Sequence, residues 1–241
     1  MTRFFAAPHD ISGGTIRLTA EDAAHIRSLR LRPEDEFIVC DEEGSDYICR
    51  LGKRGDSSTA EILETRPSRG EASVICDAYI ALAKGDRLDY AVQKSVELGA
   101  RNVILFPSER CVAIPGDMVK KTARLQRIAL ETAKQCGRGR VPEVTAASGF
   151  AAAVGQAACA ELPLFFYECE EEAHLKQILD ESPLPQTISI LTGPEGGFEL
   201  FEAELAKSAG MRAVTLGPRI LRCETAPAAA LAAIMYHTGN L

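Results

Sequence analysis

Two hydrophobic patterns divide the chain near residue 70. In the first part, apolar residues fall in short runs at 16–18 and 37–40, and residues 46–51 alternate between apolar and polar. Runs and alternation of this length are typical of β-strands. A helix is predicted after Thr19, whose hydroxyl can cap the first turn. Residues 1–70 are therefore predicted to form a small, mostly β domain.

From residue 73 onward, apolar runs of strand length alternate with segments that have apolar residues at helical spacing. The strands are predicted at 74–82, 102–107, 164–167, 187–192 and 213–216. The helices are predicted at 88–98, 118–136, 150–160, 172–179, 199–208 and 225–237. Alternation of this kind predicts a mostly parallel sheet with helices on both faces. The expected fold class of residues 73–241 is therefore α/β.

The distribution of charge changes the conclusion that the net charge alone would give. The formal net charge of −7 argues against a nucleic-acid partner. However, residues 84–140 carry twelve Lys and Arg against six Asp and Glu, a net charge of +6. Phosphates respond to such a local basic segment at short range, so an RNA partner stays possible. A set of solvated helix faces is the alternative interpretation of the same charges.

Several classes of protein are disfavoured by the pattern of cysteine and apolar residues. The eight cysteines and four histidines include no C-x-x-C pair and no H-E-x-x-H motif, so no metal site is predicted. No apolar stretch reaches the length of about 18 residues that a membrane helix needs. The first residues do not form a secretory leader. We therefore expect a cytoplasmic protein with reduced thiols and no membrane partner.

Two segments with glycine and charged residues follow predicted strands. Residues 192–197 read Thr-Gly-Pro-Glu-Gly-Gly, and this glycine content lets the backbone lie against a ligand. Residues 216–226 place two arginines and a glutamate before the last helix. Ligands of open α/β sheets bind beyond the carboxyl ends of strands, so both segments are predicted to line one pocket. A tight structural turn and an ion pair of Glu224 with an arginine are the alternatives.

These motifs closely resemble those of the 16S rRNA uracil-N3 methyltransferase family in the knotted SPOUT superfamily. The resemblance includes segments 84–99, 108–111 and 127–138, and covers roughly residues 73–238. Arg3-Phe-Phe and residues 25–32 resemble, more weakly, the PUA-like RNA-binding domain of that family.

The resemblance implies a fold, a cofactor and partners. The expected fold is a SPOUT α/β domain at 73–241 with a deep trefoil knot, preceded by a PUA-like β-barrel domain at 1–70. The expected cofactor is S-adenosylmethionine, and the expected partners are the 16S rRNA of the small ribosomal subunit and a second copy in a homodimer. The implied cofactor-binding residues are Tyr167, Thr192, Gly193, Pro194, Glu195, Gly196, Gly197, Leu216, Gly217, Ile220, Leu221, Thr225 and Ala226.

Methylation of uracil N3 requires removal of a weakly acidic proton and orientation of the base. We expect Arg222 to orient or stabilise the uracil and Glu195 or Glu224 to accept the proton. A structural ion pair is the alternative for Glu224. Basic side chains suited to phosphate are the expected RNA contacts, namely Arg27, Arg30, Arg32, Arg110, Arg124, Lys134, Arg138 and Arg140. An exposed helix face is the alternative for Arg124 and Lys134.

Three other functions stay open. A SPOUT methyltransferase could act on a different RNA, such as a tRNA or 23S rRNA. A protein of ribosome assembly could bind RNA without catalysis, although the glycine-rich segments favour a cofactor pocket. A nucleotide-phosphate enzyme could use residues 193–197, although no carboxylate partner for Mg²⁺ is evident.

Overall fold

The computed structural model describes residues 1–52, 56–112, 116–181, 183 and 185–241. These residues form two compact units. The N-terminal unit consists of Met1–Glu71 and Glu131–Val141, and the C-terminal unit consists of Ala72–Leu130 and Pro142–Leu241.

The N-terminal unit is built on a six-stranded sheet. Its strands are β1 (Arg3–Phe5), β2 (Ile11–Ser12), β3 (Thr15–Arg17), β4 (Phe37–Cys40), β5 (Ser45–Gly52) and β6 (Asp56–Pro67). The order across the sheet is β1-β4-β5-β6-β3-β2. Strands β1 and β4 are parallel, and the other neighbours are antiparallel. A 3-10 turn at Pro8–Asp10 and helix α1 (Ala20–Leu29) complete the elements of residues 1–71. The mostly β prediction is confirmed.

A small apolar core and one buried ion pair hold this sheet together. Phe4, Phe37 and Ile26 are almost completely buried and pack in one cluster. Arg3 donates two hydrogen bonds, of 2.6 and 2.8 Å, to the carboxylate of Asp46. This bidentate pair connects β1 to β5, and both side chains are buried. Removal of one partner would leave the other as a buried, unpaired charge and destabilise the fold.

The C-terminal unit contains a second six-stranded sheet, and all of its strand pairs are parallel. The strands are β7 (Ile75–Ala81), β8 (Asn102–Phe106), β9 (Glu143–Ala146), β10 (Leu162–Phe166), β11 (Thr187–Thr192) and β12 (Arg212–Val214). Their order is β12-β10-β11-β7-β8-β9. The helices are α2 (Arg87–Glu97), α3 (Met118–Cys136), α4 (Phe150–Ala157), α5 (Leu175–Glu181), α6 (Leu200–Ser208) and α7 (Thr225–His237). The residues of α3 from Glu131 onward belong to the N-terminal unit. The predicted α/β fold with a parallel sheet is confirmed.

The register of this sheet brings three chain segments to the same edge. Phe166 at the end of β10 lies opposite both Thr192 of β11 and Val214 of β12. The carboxyl ends of the three strands are therefore level. The segments that follow them, which begin at residues 167, 193 and 215, all leave the sheet from that edge. This arrangement is the geometric basis of a ligand site.

Helix α7 follows the last of these segments and returns to the sheet. It packs against α2 and against strands β11 and β7. The threading of the chain that defines a knot stays a prediction from the resemblance. Within the described ranges, the helices are too short or too polar to cross a membrane.

Some elements differ from the predictions for physical reasons. The helix predicted from residue 172 begins at Leu175 instead. His174 is held in a β-bridge to Thr215, and the Glu170 carboxylate accepts hydrogen bonds from the N–H groups of residues 172 and 173. Strands β1, β2 and β9, of two to four residues each, were not predicted.

Candidate active site

A cavity of about 580 Å³ lies at the carboxyl edge of strands β10, β11 and β12. Its size is in the range of small-molecule sites. It is lined by Arg87, Phe166, Tyr167, Glu168, Gly193, Pro194, Glu195, Gly196, Gly197, Val214, Thr215, Leu216, Gly217, Arg219, Ile220, Leu221, Arg222, Cys223, Glu224 and Ala226. The segments 192–197 and 216–226 thus meet around one cavity, as the sequence predicted.

Most of the predicted cofactor residues line this cavity, and two do not. Thr192 is fully buried at the end of β11, and its hydroxyl lies 3.4 Å from the carbonyl oxygen of Tyr79. Thr225 is exposed, and its backbone N–H donates a 2.8 Å hydrogen bond to the Arg222 carbonyl. The three candidates for catalysis, Glu195, Arg222 and Glu224, all line the cavity. The binding and catalytic roles of these residues stay predictions.

The glycine-rich turn at 193–197 has no room for side chains at three positions. A Cβ at Gly193 would lie 2.8 Å from the Phe198 ring, and one at Gly196 would lie 2.9 Å from the Arg110 carbonyl oxygen. At Gly197 the backbone has φ +69°, and an added Cβ would lie 1.9 Å from a Glu168 carboxylate oxygen. The turn is therefore packed directly against its neighbours, which explains why glycine is needed here.

The Glu168 carboxylate contacts the glycine-rich turn. It lies in the segment after β10, next to the predicted residue Tyr167. Its Oε1 atom accepts a 2.8 Å hydrogen bond from the backbone N–H of Phe198. This bond satisfies a donor at the end of the glycine-rich turn and fixes the turn against the neighbouring strand connection.

Glu195 is bound to the start of helix α2. Its Oε1 atom accepts hydrogen bonds from the backbone N–H of Lys84, at 3.0 Å, and from Nη1 of Arg87, at 2.7 Å. Burial alone would raise the pKa of Glu195, but these hydrogen bonds outweigh it and hold the pKa below its ordinary value. Arg87 was missed by the sequence analysis because it lies 108 residues from Glu195 in the chain.

The side chains of Cys223 and Glu224 form a second polar pair in the cavity. The Cys223 thiol donates a hydrogen bond to the Glu224 carboxylate, with an Sγ to Oε2 distance of 3.2 Å. Burial, and then this carboxylate, raise the pKa of Cys223 to about 12. The thiol therefore stays protonated at neutral pH and is not a nucleophile. Arg222 beside it is exposed.

The RNA candidates of the N-terminal unit divide into exposed and buried side chains. Arg27, Arg30 and Arg32 are exposed at and after the end of α1, and Arg27 also donates a 2.8 Å hydrogen bond to Ser57. In contrast, Lys134 is largely buried, with its Nζ 3.1 Å from an Asp22 carboxylate oxygen.

Two further predicted RNA contacts follow the end of α3. Arg138 is 3% exposed and forms two 2.8 Å hydrogen bonds with Glu71. Arg140 is half-buried. Burial and pairing leave Lys134 and Arg138 poorly placed to meet phosphate, whereas the arginines near the end of α1 are accessible.

The RNA candidates of the C-terminal unit are exposed but paired. Arg124 forms two hydrogen bonds with Asp89, one of them 2.7 Å long. Arg110 forms hydrogen bonds of 2.7 and 2.9 Å with Glu199.

Among the described residues, no group of three or more His, Cys, Asp or Glu side chains could hold a metal ion.

Comparisons with known proteins agree with this geometry. A family model described as an RNA methyltransferase domain matches residues 71–235, and one described as an RNA methyltransferase PUA domain matches residues 18–63. A protein named ribosomal RNA small subunit methyltransferase E from Synechocystis is 36% identical, over 96% of this chain and 76% of the relative. The protein of the same name from Bacillus subtilis is 34% identical, over 93% and 91% of the two chains.

A solved structure extends the similarity to three dimensions. It is the crystal structure of a ribosomal RNA small subunit methyltransferase E from Neisseria gonorrhoeae bound to S-adenosyl methionine. The two chains are 32% identical with a TM-score of 0.81, and the match covers 98% of this chain and 97% of the other. The resemblance found in the sequence and the two-part fold that it implied are confirmed.

The pair of Glu195 and Arg87 leads to a prediction about pH. The pKa of Glu195 is lower in the folded state than its ordinary value of about 4.5. The pair therefore stabilises the fold fully at pH values above 4.5, and this stabilisation is lost as the pH falls through the pKa of the folded state. Glu195→Gln should reduce the free energy of unfolding at pH 7 by about 1 kcal/mol, the magnitude expected for a partly exposed hydrogen bond between charged groups. Urea unfolding from pH 7 to pH 3.5 should show this difference shrinking below pH 4.5.

The control is Glu181→Gln, which removes the carboxylate of a pair about half exposed at the surface. It should change the stability at pH 7 by less than about 0.5 kcal/mol. An unfolding difference for Glu195→Gln that stays constant over the whole pH range would contradict the assigned role of the carboxylate.

Proposed function

The chain belongs to the family of ribosomal RNA small subunit methyltransferase E, and from this membership we propose that it transfers the methyl group of S-adenosylmethionine to N3 of a specific uridine in 16S rRNA. The observation that carries the proposal is the meeting of segments 192–197 and 216–226 around one cavity. A glycine-rich turn without this partner segment would be compatible with a purely structural role.

The residues of the cavity fit the proposed cofactor in shape and charge. The turn at 193–197 is free of side chains except for Pro194 and Glu195, so its backbone can lie against a ligand. Three carboxylates and three arginines line the cavity, and this mixture suits a ligand with groups of both signs. When bound, the cofactor supplies an electrophilic methyl group on a sulfonium.

The chain must orient the uracil and deal with the N3 proton. Arg222 is exposed within the cavity lining, where its guanidinium can bind a uracil carbonyl and stabilise the negative charge that forms on the ring. Glu195 is a weak base, because its carboxylate is engaged by Lys84 and Arg87 and its pKa is lowered. We therefore favour Glu224 over Glu195 as the acceptor of the N3 proton.

The two parts of the chain take different roles in this proposal. Residues 73–241 form the catalytic domain, and residues 1–70 form the domain that binds RNA. Arg27, Arg30 and Arg32 are the favoured phosphate contacts, because their side chains are exposed. The target uridine must leave its stack to reach the cavity, so a loop or flipped nucleotide is the expected substrate. Because the substrate is ribosomal RNA, we propose that the protein works in the cytoplasm.

We also propose that the protein acts as a homodimer. Two large apolar side chains on the segment that ends in α7 are exposed, Ile220 at 80% and Tyr236 at 77%. We propose that a second copy of the chain covers these apolar side chains. Sedimentation equilibrium should give twice the chain mass of 26.0 kDa, and a monomer at micromolar concentration would contradict this proposal.

The cofactor proposal is tested by calorimetric titration of S-adenosylmethionine into the wild-type protein and two glycine variants. The wild type should bind. Gly197→Ala should weaken binding at least about tenfold, because its Cβ would lie 1.9 Å from the Glu168 carboxylate. Gly210→Ala is the matched control, since Gly210 has φ +94° but open space around its Cβ position. Absence of binding to the wild type would overturn the proposal.

The target is tested by mass mapping of methylated uridines in ribosomal RNA from a deletion strain, with and without complementation. The wild-type gene should restore one N3-methyluridine in 16S rRNA. Arg222→Ala should lower the methylation rate by about a hundredfold or more, as loss of a group that stabilises developing charge does. A modification in another RNA would redirect the proposal, and wild-type turnover of a folded Arg222→Ala protein would exclude the role of this arginine.

A further inference from the structure

Arg110 occupies a distinctive place beside the cavity. It lies four residues after the end of β8, in the segment that passes next to the glycine-rich turn. Its Nη1 atom donates a 3.3 Å hydrogen bond to the carbonyl oxygen of Gly196. Its own backbone is close to the turn as well, because a Cβ on Gly196 would lie 2.9 Å from both the Cβ and the carbonyl oxygen of Arg110. Arg110 therefore supports the turn from outside the cavity.

The guanidinium is fixed by a second partner at the other end of the turn. Nε and Nη2 of Arg110 donate hydrogen bonds of 2.7 and 2.9 Å to the two carboxylate oxygens of Glu199. Glu199 precedes the first residue of α6. Arg110 thus joins the middle of the turn, at Gly196, to the start of the helix that follows it. A planar fork with several donors makes both contacts at once, which a lysine cannot do.

The segment that carries Arg110 is itself anchored by a buried carboxylate. Glu202 is 1% exposed, and its Oε1 atom lies 3.0 Å from both the Ser108 hydroxyl and the Glu109 backbone nitrogen, which donate to it. Its Oε2 atom accepts a 3.0 Å hydrogen bond from the Glu199 backbone N–H. The backbone on either side of the Arg110–Glu199 pair is therefore held by one side chain, so the pair is preorganised.

We propose that Arg110 is a positioning residue that fixes the glycine-rich turn at 193–197 for the cofactor, and that it is not a contact to RNA. This inference rests on the proposed function, since it assumes that the turn binds S-adenosylmethionine. Three of the five N–H groups of Arg110 are used within the protein, and its charge is balanced by Glu199. The same side chain lies outside the cavity lining, so it acts through Gly196 and not on the ligand.

The test compares Arg110→Lys, Glu199→Gln and Arg212→Lys. Arg110→Lys keeps the positive charge but loses the fork, and Glu199→Gln breaks the same pair from its other end. Arg212→Lys is the matched control, because Arg212 pairs with Glu181 and is 42% exposed, close to the 45% of Arg110. Calorimetry measures the affinity for S-adenosylmethionine, and filter binding at two salt concentrations measures the affinity for a small-subunit rRNA transcript.

Arg110→Lys and Glu199→Gln should each weaken cofactor binding about tenfold, with RNA affinity and its salt dependence unchanged within about twofold. The KM for S-adenosylmethionine should rise while kcat at saturating cofactor is maintained, and Arg212→Lys should bind like the wild type. Thermal unfolding should change little, since the Arg110 pair is partly exposed.

Two results would overturn the inference. One is wild-type cofactor affinity in both Arg110→Lys and Glu199→Gln. The other is a loss of RNA affinity in Arg110→Lys with cofactor affinity retained, which would make Arg110 an RNA contact. If the wild-type protein itself fails to bind S-adenosylmethionine, the proposed function is wrong, and that outcome is separate from the other two.

Discussion

The level pairing of strands β10, β11 and β12 is the constraint on which the rest of the C-terminal unit depends. Each strand ends opposite its neighbour at Phe166, Thr192 or Val214, so the three following segments begin side by side. Strand β10 is buried at every position, and this apolar packing fixes the register. A shift of one residue would displace the segment at 215–224 from the glycine-rich turn, and the cavity between them would lose one wall.

Within this frame, the glycine-rich turn is shaped by its neighbours as much as by its own sequence. The Glu168 carboxylate holds the N–H of Phe198 on one side, and Arg110 holds the carbonyl of Gly196 on the other. A negatively charged carboxylate thus binds an N–H group, and a positively charged guanidinium binds a carbonyl group, of the same turn. Glycine supplies the positive φ angle at 197 and the space for close approach, whereas the two side chains select one conformation from those that glycine permits.

Sequence analysis could predict the elements with strong periodicity and the segments that form the cavity. Helices α3 and α7 and strand β11 have the predicted bounds, because their apolar patterns are long or uninterrupted. The partners of the site residues could not be predicted in this way. Arg87 lies 108 residues from Glu195, and Arg110 lies 89 residues from Glu199, so only the sheet order brings them together. The spacing of residues within one segment contains no information on contacts between residues so far apart in the sequence.

The basic segment at 84–140 shows that the number of positive charges in a segment does not predict how many of them are available to bind phosphate. In the sequence, its arginines are alike, and each suits phosphate. In the structure, Arg138 is buried against Glu71, Arg124 is paired with Asp89, and Arg110 supports the glycine-rich turn. A guanidinium that already donates to a carboxylate must lose that partner or share it before it binds phosphate, and this cost weakens the attraction. Exposure without a carboxylate partner among the described residues is therefore a better criterion than position in a basic segment, and it favours the arginines at the end of α1.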